Sequence, residues 1–128
     1  MFKISFFVLS VLVFTGVLNA GDWPQWRGPF LNGSAEETGL PGEWSLEKNT
    51  KWKAELPGPG SCTPVISGGR VFVSSTDKDS KDLLGLCFDA QSGKELWRRV
   101  VSRETRRVPS GDQAAPSAST DGERVYFT

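Results

Sequence analysis

The chain has no histidine, a single tyrosine, a single methionine and only two cysteines in 128 residues. Without histidine, the commonest general base and the commonest metal ligand are missing, and a Ser-His-Asp triad cannot be assembled from this polypeptide. Neither sign of charge is in excess, with 15 Lys+Arg against 15 Asp+Glu, so composition gives no support to a nucleic-acid or anionic-membrane partner. Helical periodicity is lacking as well: no window from residue 50 to residue 128 repeats its apolar positions at 3.6. Two cysteines, Cys62 and Cys87, permit at most one disulfide, and only in an oxidising compartment.

The longest apolar run stands at the start. Met1, Phe2 and Lys3 give a short basic opening, "ISFFVLSVLVFTGVL" supplies fifteen mostly apolar residues, and "LNA" ends on a small residue before Gly21. A helix of that length reaches roughly 22 Å at ~1.5 Å per residue, short of a ~30 Å hydrocarbon core. Residues 1–20 therefore read as a secretory signal peptide, which makes the mature protein periplasmic or secreted with no stable membrane anchor. Leu18 is a poor small residue for the cleavage site, and an uncleaved anchor is the alternative. Loss of Lys3 with the leader leaves 14 basic against 15 acidic side chains.

Residues 21–49, opening "GDWPQWRGPFLNGSAEETGLPGEW", are rich in Gly and Pro and carry neither helical nor strand periodicity. They read as an irregular segment whose Trp23, Trp26 and Phe30 must dock on something, because exposed tryptophans at this density are a liability. From residue 50 the pattern changes to short apolar runs closed by turn residues: "TKWKAEL" before "PGPG", "TPVI" before "SGG", "RVFVSS" before "TDKDS", "LLGLCF" before "DAQSG", then "KELWRRVV". Val, Ile, Phe and Trp dominate these runs, the signature of successive antiparallel strands. The fold class is all-β.

Self-comparison sets the architecture. "TPVISGGRVFVSS" (63–75) returns as "APSASTDGERVYFT" (115–128), with Pro64 to Pro116 a step of 52 and Trp52 to Trp97 a step of 45. Periods of this size with about four strands per unit indicate β-propeller blades, not helical solenoids. A strand of one such repeat cannot bury its own blade faces alone, and a closed ring needs about 4 to 8 blades. Residues 50–128 hold fewer than two, so the sequence reads as an N-terminal fragment that needs further blades of its own chain. In that ring "TKWKAEL" is expected as the outer strand of the last blade, which leaves Trp52 poorly packed here.

"FDAQSGKELW" resembles the tryptophan-docking motif of quinoprotein-type (PQQ-like) β-propeller repeats. Asp89, Gly93, Lys94 and Trp97 sit at matching positions, Ser92 stands in for Thr and Cys87 for Ala; "DWPQWRGP" and "PGPGSCTPVISGGRVFVSS" extend the likeness to secreted bacterial members. The resemblance implies that the motif tryptophan lies between blades and stacks on the backbone of a turn glycine in a neighbouring motif. Any side chain at Gly93 would block that stacking, and a small residue at 87 fits the same crowding. Cys87, Asp89, Gly93, Lys94 and Trp97 are thus structural docking residues and hold blades together.

Three groups could carry chemistry. The cysteines fall on strands two apart, ~9.5 Å, beyond the ~7 Å reach of a disulfide, so both are expected as unpaired and mostly buried thiols. Asp77, Asp79 and Asp82 in "TDKDSKD" have a calcium-loop look but lack the central Gly and distal Glu of an EF-hand, and read as a solvated loop with no metal. Arg98, Arg99, Arg103, Arg106 and Arg107 crowd a long connection, and Arg103, Arg106 and Arg107 are the candidate partner loop, because arginine forks recognise carboxylate and phosphate. No catalytic or cofactor-binding residue is assigned.

Two functions follow. The first is a secreted or periplasmic propeller acting as a non-catalytic binding or scaffold module for a protein partner, with no cofactor in this segment. The alternative is part of a quinoprotein dehydrogenase holding pyrroloquinoline quinone and calcium, which by the resemblance needs an adjacent cysteine pair that this sequence lacks. A lesser option is a polysaccharide surface built on Trp23 and Trp26.

Overall fold

The computed structural model describes residues 21–103 and 117–127. The leader expected over residues 1–20, as well as Arg106 and Arg107 of the candidate loop, lies outside the described residues. Strand β1 (Val65–Ser67), β2 (Arg70–Thr76), β3 (Leu83–Asp89) and β4 (Glu95–Ser102) form one antiparallel sheet in chain order. A second, two-stranded antiparallel sheet joins β5 (Ser119–Thr120) to β6 (Val125–Tyr126). The described residues contain no helix, and the fold is all-β as the apolar runs indicate.

The punctuation does what its residue types allow. Gly68 and Gly69, at φ 55° and 73°, make the two-residue β1–β2 turn, where both positions need left-handed backbone. Asp77 closes the β2–β3 connection by accepting hydrogen bonds at Oδ1 from the Asp79 and Ser80 amides, 2.9 and 2.8 Å. Its carboxylate is committed to a turn, and those amide donors, that of Ser80 first, hold its pKa below the ordinary carboxylate value. Arg70-Val71-Phe72 and Arg124-Val125-Tyr126, which match in sequence, both follow a turn from an antiparallel partner strand.

Period-2 alternation gives the first sheet two apolar faces. Val65, Phe72 and Cys87 occupy one, with Trp97 beside them, and Ala118, Val125 and Phe127 of the second sheet's segment pack over it. Val73, Leu84, Leu86 and Phe88 occupy the other, covered by Ala54 and Cys62. The cover on this side is a chain segment without ladder pairing. "TKWKAEL" and the start of "TPVI", expected as strands, run without strand structure, and only Val65–Ser67 joins the sheet.

The N-terminal segment is tied down at its beginning. Trp23 and Ile66 exchange backbone hydrogen bonds of 2.8 and 2.9 Å, and the Pro24 carbonyl accepts from the Thr120 amide at 2.9 Å. The Asp22 carboxylate accepts from Ser67 Oγ and from the Gly68 amide. This strap joins both sheets. Further along, the expectation that all three aromatics dock fails: Trp26 is 61% and Phe30 50% exposed, because residues 25–49 turn repeatedly and lay down no strand against the core.

Candidate functional site

The turn "DAQSGK" is built around one carboxylate. Asp89 Oδ1 accepts from the Gln91 and Ser92 amides and from Ser92 Oγ, at 3.1, 2.7 and 2.7 Å. The Asp89 carbonyl accepts from the Gly93 amide, and the Asp89 amide donates to the Lys94 carbonyl, which closes the turn. The Ser92 hydroxyl first, then the Ser92 and Gln91 amides, hold the Asp89 pKa below its ordinary value. Gly93 sits at φ 72°, where a Cβ costs steric energy, so the chain reverses with no side chain on that face.

Onto this bare backbone comes Trp52. A Cβ on Gly93 would stand 2.6 Å from Cδ2 of the Trp52 ring, so the indole lies directly against the glycine. Trp52 Nε1 donates to the Ala90 carbonyl at 3.0 Å, and Lys51 Nζ hydrogen-bonds Gln91 Oε1. The indole thus has both its apolar face and its polar edge satisfied. The expectation that Trp52 is poorly packed is therefore wrong. Its docking needs the glycine of the β3–β4 turn, three strands onward, not a ladder partner for its own backbone.

Trp97, 45 residues after Trp52, is half-buried on the face of β4 that meets the second sheet. Its ring lies 6.0 Å from Phe72 and 6.5 Å, edge-on, from Phe127. Cys87 pairs with it across β3 and β4 and is wholly buried, which explains the small side chain: a larger one would displace the Phe72–Trp97 contact. Burial pushes the Cys87 thiol pKa up. Lys94 is exposed and contributes its backbone carbonyl to the turn. Of the five docking residues, Cys87 and Trp97 therefore belong to a packed face, and Asp89, Gly93 and Lys94 to the receptor turn.

Two more aromatic rings rest on glycine. A Cβ at Gly28 would meet the Trp23 ring at 2.6 Å, and one at Gly85 the Phe127 ring at 2.9 Å. Trp23 is thereby spent on structure, which removes half of the Trp23–Trp26 polysaccharide surface. Arg27 also stands over Trp26, 5.1 Å from its centroid.

Cys62 and Cys87 are both free thiols. Cys62 precedes β1 and lies on no strand, so the expected two-strand spacing is not what separates them: the partly buried Cys62 packs on the Val73 face, its sulfur exchanging hydrogen bonds with the Ser74 backbone at 3.2 Å, and the buried Cys87 lies on the Phe72 face. Among the described residues no three His, Cys, Asp or Glu side chains are grouped to hold a metal ion. Arg103 is exposed just beyond β4, and Arg98 is paired with Glu95 at 2.8 Å. Asp22, Trp52 and Phe127 were not singled out as functional from the sequence. Trp52 carries a signal in its 45-residue step to Trp97, and Phe127 in the match of residues 115–128 to 63–75; Asp22 carries none.

Comparison with protein-family models, with curated proteins and with solved structures finds no match to this chain.

Proposed function

We propose that the chain contributes a blade of a quinoprotein-type (PQQ-like) β-propeller, working in the periplasm or outside the cell as a non-catalytic binding or scaffold module for a protein partner. The observation that carries this reading is the Trp52 indole on Gly93, together with the recurrence of tryptophan 45 residues later at Trp97. A contact between one repeat's tryptophan and the next repeat's turn gives each unit a reason to sit beside a copy of itself, and stacked units bury faces that none can bury alone. The aspartates support a structural reading: Asp22, Asp77, Asp89 and Asp121 each accept backbone amides at turns.

Titration with pyrroloquinoline quinone and calcium tests it. The module reading expects no saturable change in melting temperature and no reduction of an acceptor dye with alcohols. A saturable shift with dye reduction would select the dehydrogenase instead. N-terminal sequencing of protein from the cell envelope, with Gly21 as the first residue, tests the location.

A further inference from the structure

The two edges of the four-stranded sheet are treated differently. On one side β1 is only three residues long and is met by the Trp23–Ile66 bridge. On the other, β4 is the longest strand, eight residues, and among the described residues it pairs only with β3. Register shifts fall near each end of the β3–β4 ladder, between Cys87 and Phe88 and between Leu83 and Leu84. Between them, Trp97 through Val100 runs regularly opposite β3. An edge of this length presents unpaired backbone donors and acceptors to any extended chain.

Its side chains decide which chain. Leu96 is 47%, Val100 49% and Val101 40% exposed, so the strand offers apolar contact along its length. Within residues 94–103, Lys94, Arg98, Arg99 and Arg103 outnumber Glu95 by three; Asp77 also acts on Arg98, and Glu104 follows the stretch in sequence. A second copy is disfavoured: antiparallel self-pairing with full overlap would set Arg98 of one copy opposite Arg99 of the other, twice by symmetry. The same arginines favour carboxylates.

From this juxtaposition we infer that the outer edge of β4 is a strand-addition site for an extended acidic segment of a partner protein, with carboxylates on both faces, because Arg98 and Arg99 are neighbours in the ladder and point to opposite sides of the sheet. Backbone hydrogen bonds would supply attachment, and Arg99 and Arg103 would select for carboxylates, with Arg98 shared with Glu95. The inference rests on the binding-module reading, and it names the partner's chemistry. It does not depend on the Trp52–Gly93 contact, so the two can fail separately.

The test uses the purified chain and a capped seven-residue peptide of glutamates and valines with two adjacent glutamates at its centre, followed by backbone amide exchange and by titration. Slowed exchange at residues 95–102 is expected. Replacing the glutamates by lysine should weaken binding roughly 3- to 100-fold, since three opposite-charge cross-strand pairs contribute about 1.5- to 5-fold each. N-methylation of alternate peptide amides on the docking edge should abolish binding. The Arg99→Glu, Arg103→Glu double variant should reverse the preference toward the lysine peptide. An acidic peptide that leaves β4 amides unprotected, lysine and glutamate peptides that bind equally, or self-association that protects β4 would each overturn the proposal. The peptide comparisons decide it even if the double variant does not fold.

Discussion

The indole of Trp52 lies flat against the α-carbon of Gly93, forty-one positions away in the chain, at a distance that leaves no room for a methyl group. Its Nε1 also reaches the Ala90 carbonyl at 3.0 Å. One contact therefore fixes a ladder-free segment to the β3–β4 turn and closes the Val73–Leu86 face of the sheet, over which Ala54 and Cys62 then lie.

Removing the indole tests its share. Trp52→Ala is expected to destabilise by about 2–3 kcal/mol, from lost apolar burial of a half-buried side chain. Trp52→Phe keeps a ring over Gly93 but loses the Ala90 hydrogen bond, and should cost about 1 kcal/mol. Urea unfolding of the three proteins gives the order.

Glycines in the same chain should differ by cause. A Cβ at Gly58 would run into the Thr76 carbonyl, where Thr76 N also donates to Pro59 O at 2.9 Å, so Gly58→Ala must part the loop from the end of β2. Gly33, at φ 80°, faces open space, and Gly33→Ala pays only for left-handed backbone, about 1 kcal/mol. Thermal melts should show the first variant clearly less stable than the second.

The thiols should separate by reactivity. Cys87 is wholly buried with a raised pKa, whereas Cys62 is half-buried at the sheet margin. Brief alkylation of the native protein should label Cys62 first, and Cys87 only once denaturant is added. Peptide mass mapping reads the order.

Acid should loosen the turns. Asp77, Asp89 and Asp121 have pKa values lowered in the folded state, chiefly by hydrogen bonds from Ser80, Ser92 and Arg124 respectively. A carboxylate held charged in the fold contributes its full stabilisation above the ordinary carboxylate pKa. That contribution disappears as pH falls through the lowered folded value. The melting temperature should therefore drop below about pH 4, and Asp89→Asn should start lower at neutral pH and show a shallower acid slope.

Much of the sheet was legible. "RVFVSS", "LLGLCF" and "KELWRRVV" became β2, β3 and β4 because each is a short run with apolar residues bounded by turn formers. The glycine-seated tryptophan was legible as a device, but its occupant was not. The apolar pattern of "TKWKAEL" suggested a strand needing sheet partners, whereas Trp52 docks by its side chain and its backbone needs none. Asp22 on Ser67 and Gly68 was invisible, since a short-range pattern says nothing about a carboxylate meeting a turn 45 residues away. Trp26 and Phe30 misled in the opposite sense, because a wish to bury aromatics is not a surface to bury them on.

The central claim is that Trp52 and Gly93 act as one unit. A double-mutant cycle with Trp52→Ala and Gly93→Ala, read by chemical unfolding, tests it most directly. Once Trp52 is gone, Gly93→Ala should cost only its left-handed backbone, about 1–2 kcal/mol, and with the indole present it should cost clearly more, for a coupling of at least about 1 kcal/mol. Strict additivity of the two substitutions would mean that the indole does not rest on the glycine, and would contradict the contact on which the proposed blade docking rests.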